Sequence, residues 1–178
     1  MKTISIPIIL FSVILFSNCK KTQNKMSSDI YCDGLITDTL GTGDTARIYY
    51  PNAFTPNNDG LNDINRIIVK GISSITFTIY DSSNNIIFTT TQLNTPDPHG
   101  LAGSAAWAPT SNASTHETYY YKIQATTMTN NHIGVCGELY KLSCFPSSIP
   151  RSSVHFEDQL MIDGTFSAIT LENLPDCP

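Results

Sequence analysis

Charged residues are scarce in this 178-residue chain, because Asp, Glu, Lys and Arg together make up 14% of it, against about a quarter in an average soluble protein. Four of the ten basic residues lie within residues 1–25, which contain no acid. The rest of the chain therefore carries six basic residues against fifteen acidic ones, a net charge of about −9. Without a basic stripe the chain lacks the attraction for phosphates on which nucleic-acid binding depends, so we exclude nucleic acid as a partner.

The sequence also lacks helical amphipathicity and the short motifs of common hydrolases. Neither GxSxG nor HExxH occurs, although these motifs mark widespread serine and zinc hydrolases. Glu157 and Asp158 are adjacent, so on a strand they would point to opposite faces and could not flank a glycosidic bond. We therefore predict that the protein is not an enzyme. The four histidines are expected in loops and at strand ends: His99, His116, His132 and His155.

The N-terminal apolar run is too short to span a membrane and is typical of a signal peptide. Residues 1–18 have a basic start and then an almost wholly apolar segment, whereas a transmembrane helix needs about 20 apolar residues. The run ends in LFSNC at residues 15–19, which resembles the lipobox of bacterial lipoproteins, with Asn18 in place of the usual Gly or Ala. The resemblance implies that Cys19 becomes the first mature residue and carries lipid. The alternative is an unpaired thiol after an ordinary signal peptide.

Residues 19–29 are predicted to be a lipidated cysteine followed by a flexible tether. The segment begins CKKTQNK and offers almost nothing to bury, and its lysines suit an anionic membrane surface. We expect an exported protein, anchored to the outer membrane by its lipid, on the periplasmic or the surface face.

Four cysteines remain for the body of the protein, and an even number in an oxidising compartment predicts two disulfides. A zinc site is the alternative, but no CxxC pair is present. Cys136 and Cys144 lie on one predicted extended segment, about 26 Å apart, whereas the Cα atoms of a disulfide lie within about 7 Å. Their partners are therefore Cys32 and Cys177. We favour Cys32 with Cys136 and Cys144 with Cys177, because the second bond would fasten the weakly patterned tail after Phe145 to the last strand of the sandwich.

Apolar residues recur at every second position in the body, as in strands with one buried face. Ile75, Phe77 and Ile79 alternate with polar residues, and residues 85–91 repeat the pattern after a turn at residues 81–84. This arrangement predicts a β-hairpin.

The longest predicted strand covers residues 119–126. Its alternation places Tyr119 and Tyr121 in the core and Tyr120 at the surface. Other strands are predicted at 46–50, 65–69, 135–142, 30–36 and 154–161, and loops at 94–103 and 110–117. Seven or eight short strands predict an all-β sandwich.

Residues 50–63, with the sequence YPNAFTPNNDGLND, are similar to the opening motif of the gliding motility-associated C-terminal domain of exported Bacteroidota proteins. The similarity continues at residues 79–88, where Asn84 replaces a family glycine, and at 118–121. Trp107 lies where the family has a Trp-Asp-Gly triplet. The resemblance implies an immunoglobulin-like β-sandwich associated with type IX secretion.

In that family the domain usually ends a large secreted protein, whereas here about 36 residues follow the last matched strand. We therefore expect the domain to be the body of the protein. The expected organisation is a signal peptide at residues 1–18, the lipidated tether at 19–29, the sandwich at 30–145, and a C-terminal extension at 146–178 packed on the sandwich.

The loop within the opening motif is a candidate structural Ca²⁺ site. Asn57, Asp59, Asn62 and Asp63 supply side-chain oxygens, the ligands that Ca²⁺ prefers. The alternative is a turn in which these side chains accept hydrogen bonds from their own backbone. We expect no other cofactor.

Thr39 and Thr45 are candidate O-glycosylation sites. Each lies in an Asp-Thr-apolar triplet, which resembles the acceptor pattern described for exported proteins of this phylum. The alternative is exposed loop or strand-edge sequence.

These features predict a non-enzymatic, lipid-anchored cell-envelope protein with a structural or protein-interaction role, linked to surface assembly, type IX secretion or gliding motility. The expected partners are the membrane, through the lipid, and an envelope protein or glycan. The alternative function is a carbohydrate-binding surface module. It would need two or three exposed aromatic residues on one face, whereas the single tryptophan, Trp107, is expected between the sheets.

Overall fold

The computed structural model describes residues 31–109 and 116–178, and it confirms the predicted β-sandwich. Within these residues the strands form a three-stranded sheet, β1-β3-β6, and a five-stranded sheet, β2-β8-β7-β4-β5. The strands are β1 (Arg47–Tyr49), β2 (Ala53–Phe54), β3 (Ile68–Lys70), β4 (Ile72–Tyr80), β5 (Ile86–Thr90), β6 (Leu101–Gly103), β7 (Glu117–Thr127) and β8 (His132–Lys141). The pairing of β2 with β8 is parallel, and the other pairings are antiparallel.

In the part of the chain that the structure describes, no helix has the length and apolar character needed to cross a membrane.

The main core fills the space between the sheets. In the register of β4 with β7, Phe77 lies opposite Ile123 and Ile79 opposite Tyr121, and Leu139 of β8 is fully buried beside them. Burying each such aliphatic or phenyl side chain contributes about 1.5–3 kcal/mol. Burial also raises the pKa of Tyr121 to about 12. The apolar face expected from the alternating pattern is therefore the face that packs.

A bulge explains why both Ile72 and Ile75 are buried although they are three positions apart. The register of β4 against β7 shifts between Ile72 and Ser74, and an extra residue at a bulge changes the face on which the following side chains lie.

The β4–β5 turn has the hairpin geometry that the sequence predicts. The carboxylate of Asp81 accepts hydrogen bonds from the backbone amides of Ser83 and Asn85, at 2.8 and 2.9 Å. Asn84 has a φ of 64°, a conformation that asparagine tolerates better than most residues. This explains why asparagine can stand where the family has glycine.

Two of the predicted strands are wrong. Residues 30–36 were expected to be extended, but Tyr31 and Cys32 have helical backbone, and a turn follows with Gly34 at a φ of 73°. Residues 154–161 contain the second of two 3-10 helices, Arg151–Ser153 and Glu157–Gln159. Gln159 stabilises this helix because its side-chain oxygen accepts the amide of Phe156 at 2.7 Å.

Other boundaries differ because short strands carry too little pattern to be seen in the sequence. Strands β2 and β6 were not predicted, and β6 lies inside the expected loop at residues 94–103. The strand expected at 65–69 begins at Ile68, and Asn65 instead forms an isolated bridge with Trp107.

A second apolar cluster joins the C-terminal extension to one end of the sandwich. Ala53 and Leu142 from the sandwich side pack with Phe145, Val154 and Phe156. The extension therefore has apolar contacts of its own with the domain.

Candidate functional site

The segment at residues 55–63, called the motif loop below, is held in shape by its own acidic side chains. The carboxylate of Asp63 accepts hydrogen bonds from the amides of Asn58 and Gly60, at 2.6 and 2.7 Å. Both donors have positive φ, 64° and 89°, so the loop reverses direction sharply while Asp63 satisfies the backbone groups at the turn.

The other side chains of the loop are used in the same way. Asp59 accepts the amide of Leu61 at 2.8 Å, and its own amide donates to Asn57 Oδ1 at 3.0 Å. This is the geometry of the turn-capping alternative. Among residues 31–109 and 116–178, no group of three or more His, Cys, Asp or Glu side chains is placed to hold a metal ion. A structural calcium ion at Asn57, Asp59, Asn62 and Asp63 stays a prediction.

The fourth candidate ligand, Asn62, turns away from the loop and toward the C-terminal extension. Its amide nitrogen lies 3.1 Å from Asp158 Oδ1 and 3.2 Å from Glu172 Oε2, while its oxygen accepts the backbone amide of Asp158 at 3.1 Å. The hydroxyl of Thr55 donates to the same Glu172 oxygen at 2.6 Å. Thr55 and Asn62 are buried, with 1% and 8% of their surface exposed.

Arg66 extends this polar contact beyond the loop. Its Nε lies 3.0 and 3.1 Å from the two carboxylate oxygens of Glu157, and its Nη2 also contacts Oε1. A bidentate guanidinium–carboxylate pair fixes both direction and distance. A cleft of about 400 Å³ lies beside the pair, lined in part by Asp63, Arg66 and Glu157.

The structure brings the four body cysteines together in the pairing that the strand argument favours. Cys32 is bonded to Cys136, with Cα atoms 5.5 Å apart, and Cys144 to Cys177, with Cα atoms 5.0 Å apart. The second bond fastens the end of the extension next to β8. A backbone bridge between Phe145 and Asp176 accompanies it.

The first disulfide holds the N-terminal segment against the outer face of the five-stranded sheet. The ring of Tyr31 stacks on Tyr120 at 4.4 Å and lies 5.9 Å from Tyr80. Lys122 donates to the carbonyl of Asp33 at 2.5 Å. Tyr120 was expected at the surface, but Tyr31 covers it.

The aromatic side chains of the described residues do not form an exposed platform. Trp107 was expected between the sheets, and it packs against the core while remaining half-buried, with its ring 5.3 Å from Phe54 and 4.9 Å from Tyr119. Within the described residues, no Phe, Tyr or Trp belongs to the exposed class. The described aromatic side chains are therefore buried or half-buried.

The two glycosylation candidates, Thr39 and Thr45, are both exposed. The aspartates before them are engaged in hydrogen bonds to the β7–β8 turn and the start of β8. Asp44 accepts from the hydroxyl of Thr129 at 2.5 Å, and Asp38 accepts the backbone amide of His132 at 2.7 Å. These hydrogen bonds lower the pKa of both carboxyl groups. Glycosylation itself stays a prediction.

The histidines make the contacts expected of residues in loops and at strand ends. His132 begins β8, and its Nδ1 lies 2.9 Å from Asp38 Oδ2. His155 stacks on Phe166 at 4.9 Å, while His99 and His116 are exposed.

Sequence reasoning missed the acidic residues of the extension. Glu157 and Asp158 were considered only as a catalytic pair, and Glu172 was not singled out. Arg66 offered a signal, because an arginine on a predicted strand of an acidic chain suggests a carboxylate partner. The distance of about 90 residues between them in sequence kept that partner unidentified.

Cys19, the predicted lipidation site, lies outside the residues that the structure describes, as do the signal peptide and the tether.

One family model, the CHU_C type IX secretion signal domain, matches residues 48–136. This match covers half of the chain, from β1 to the middle of β8. No curated protein and no solved structure matches the chain.

Proposed function

The chain belongs to the CHU_C type IX secretion signal domain family, and from this premise we propose that it is an exported cell-envelope protein whose sandwich acts by contact with another envelope component. The family match carries the proposal. The match spans most of the sandwich, and the family is one of secretion signal domains and not of enzymes. In this proposal the protein is held at the outer membrane by lipid on Cys19, and it has a structural or protein-interaction role in surface assembly.

The C-terminal extension supports the view that the sandwich is the working body of the protein. The matched domain is followed by a segment that is covalently fastened to the end of the sandwich by the Cys144–Cys177 bond. Two disulfides suit the oxidising compartment outside the cytoplasm.

The carbohydrate-binding alternative has no observation in its favour, because the described aromatic side chains are buried or half-buried. A glycan array separates the two functions. Binding to one class of glycan would favour the alternative, and an absence of binding agrees with a protein partner.

Fractionation of cells that express the full chain tests the anchored envelope role. We expect the wild-type protein in the membrane fraction and Cys19→Ser in the soluble fraction, because several acyl chains on one residue hold a protein at a membrane stably. Thr22→Ala, in the predicted tether, is the matched control and should stay with the membrane. Continued membrane association of Cys19→Ser would rule out the lipid anchor.

A further inference from the structure

Three polar residues of the family-matched region form one surface beneath the C-terminal extension. Thr55, Asn62 and Arg66, called the motif surface below, come from the motif loop and the residues just after it. Each is paired with a carboxylate of the extension. The motif surface therefore binds carboxylates in the structure itself.

The pairing is specific in geometry. Glu172 accepts hydrogen bonds from both Thr55 and Asn62, at 2.6 and 3.2 Å. Glu157 accepts bidentate hydrogen bonds from Arg66. The Asn62 amide also recognises peptide backbone, because its oxygen accepts the amide of Asp158. Carboxylates and a backbone N–H are together the features of an acidic peptide.

The extension uses most of the hydrogen-bonding groups that Thr55 and Asn62 present. The hydroxyl of Thr55 has one further partner, the carbonyl of Leu61 at 3.3 Å. The hydrogen bonds of the Asn62 side chain to described residues all go to the extension. These hydrogen-bonding groups would therefore become available to a ligand of the same chemistry if the extension were displaced.

The segment that covers the motif surface is held together by hydrogen bonds among its own residues. Gln159 and Ser167 exchange hydrogen bonds at 2.7 and 2.9 Å. Asp158 accepts the amide of Leu171 at 2.6 Å and the hydroxyl of Thr170 at 2.9 Å. Residues 155–173 thus carry their own internal hydrogen bonds, and a peptide of this length is a sensible probe.

The covalent link keeps this unit close to the motif surface. The Cys144–Cys177 bond closes the chain around the extension, and tethering makes binding intramolecular, with an effective concentration that a free competitor must exceed.

We propose that the motif surface is a binding site for an acidic peptide hairpin of a partner protein, and that the C-terminal extension occupies this site in cis. When the extension is released, Thr55, Asn62 and Arg66 bind the carboxylates of the partner. The inference rests on contacts among the described residues and stands whether or not Cys19 is lipidated, so its failure and that of the membrane anchor are distinguishable.

A binding measurement with a labelled synthetic peptide of residues 155–173 tests the site. The receptor is the full chain opened by Cys144→Ser, Cys177→Ser and Glu172→Gln, with the wild-type chain beside it. We expect the peptide to bind the opened chain about tenfold tighter than the wild type, because the tethered competitor is weakened. A peptide carrying Glu157→Gln, Asp158→Asn and Glu172→Gln should bind about tenfold more weakly, since charge-assisted hydrogen bonds are about twice as strong as neutral ones.

The receptor side has its own control. Adding Asn62→Ala to the opened chain should abolish binding of the acidic peptide. Equal binding of the acidic and neutralised peptides, or no binding to an opened chain that retains the thermal transition of the sandwich, would overturn the proposal.

Hydrogen exchange on the intact chain gives a second measurement that does not depend on the opened variant. Glu172→Gln should speed exchange of the Asp158 amide about tenfold, because that amide donates to the side chain of Asn62, which Glu172 also holds. The Leu171 amide should change less, because it donates to Asp158 within the extension. Asp176→Asn is the matched control, since this exposed residue pairs with Arg151 away from the motif surface. Unchanged exchange in Glu172→Gln would show that the carboxylate does not hold the extension.

Discussion

At the scale of single residues, backbone conformation decides where this chain can turn. Asn58, Asn62, Asn84 and Asn130 all have positive φ, and the sequence predicted this conformation only for Asn84, because the family glycine marked the position. The other three show no such mark in one sequence. Asn58 and Asn130 lie in turns closed by local hydrogen bonds, to Asp63 and Thr127, whereas the side chain of Asn62 bonds to the distant Asp158.

Alanine substitutions at three glycines separate the free-energy cost of a strained backbone from the cost of a steric clash. Gly41 does not have a positive φ and has no neighbour near an added Cβ. Gly43 has a φ of 110° with the same open space, and Gly164 has a φ of 84° with the ring of Tyr49 where its Cβ would lie. We expect Ala to be nearly neutral at Gly41, to cost about 1 kcal/mol at Gly43 and to cost about 2–4 kcal/mol at Gly164. Denaturant unfolding measures all three, and equal losses at Gly43 and Gly164 would contradict the Tyr49 contact.

The carboxyl groups of Asp38 and Asp44 predict a loss of stability in acid. Hydrogen bonds from His132 to Asp38 and from Thr129 to Asp44 hold each pKa below its ordinary value. The unfolded chain therefore takes up these protons first. Their contribution is fully present above a pH of about 4, the ordinary pKa of aspartate, and is lost as the pH falls through the lowered pKa of the folded state.

The measurement is the melting temperature between about pH 6 and pH 3, across the ordinary pKa of aspartate. The double variant Asp38→Asn, Asp44→Asn should melt lower than the wild type at the upper end, and its curve should fall less steeply toward the acid end. Parallel curves for the two proteins would show that these groups do not contribute.

At the scale of elements, the long strands were predictable and the short ones were not. The alternation in β4 and β7 extends over enough residues to define a face, and the observed register buries the predicted side chains Phe77, Ile79 and Tyr121. Strand β2 has two residues, which cannot show a period. The 3-10 helix at Glu157–Gln159 is stabilised by side-chain contacts that an alternating pattern does not reveal.

The motif loop offers a direct test of its capped geometry against a calcium site. Since Asp63 satisfies two backbone amides, Asp63→Ala should cost about 1–2 kcal/mol, as the loss of a helix or turn cap does. If backbone capping alone holds the loop, a chelator leaves the thermal transition unchanged in the wild type and in Asp63→Ala. A lower transition with chelator, restored by added Ca²⁺, would instead establish the calcium site.

The Cys144–Cys177 disulfide should govern the order of the extension more than that of the sandwich. Removing it with Cys144→Ser and Cys177→Ser is expected to cost about 3–4 kcal/mol by the chain-entropy estimate for a loop of this length. The expected readout is rapid proteolysis after Phe145 while the sandwich persists. The control is Cys32→Ser with Cys136→Ser, which should leave cleavage of the extension unchanged. Equal resistance of all three proteins to proteolysis would contradict an extension that is held in place by the Cys144–Cys177 disulfide.

At the scale of the whole molecule, the sandwich could be predicted from the sequence, whereas the way its two ends are fastened could not be predicted in full. The distance between Cys136 and Cys144 along an extended segment excluded a bond between them, and the weakly patterned tail favoured the pairing of Cys144 with Cys177 that the structure has. The covering of the motif surface by Glu157, Asp158 and Glu172 depends on contacts across about 90 to 120 residues of chain. No local pattern encodes such contacts.

The central claim is that this sandwich is displayed in the cell envelope on a lipid anchor, and mass spectrometry of the mature N-terminus tests it most directly. Protein purified from the membrane fraction is digested, and its N-terminal peptide is identified. The account predicts a peptide that begins at Cys19 and carries fatty-acyl chains on that residue. A mature N-terminus at any other residue, or an unmodified thiol at Cys19, would contradict it.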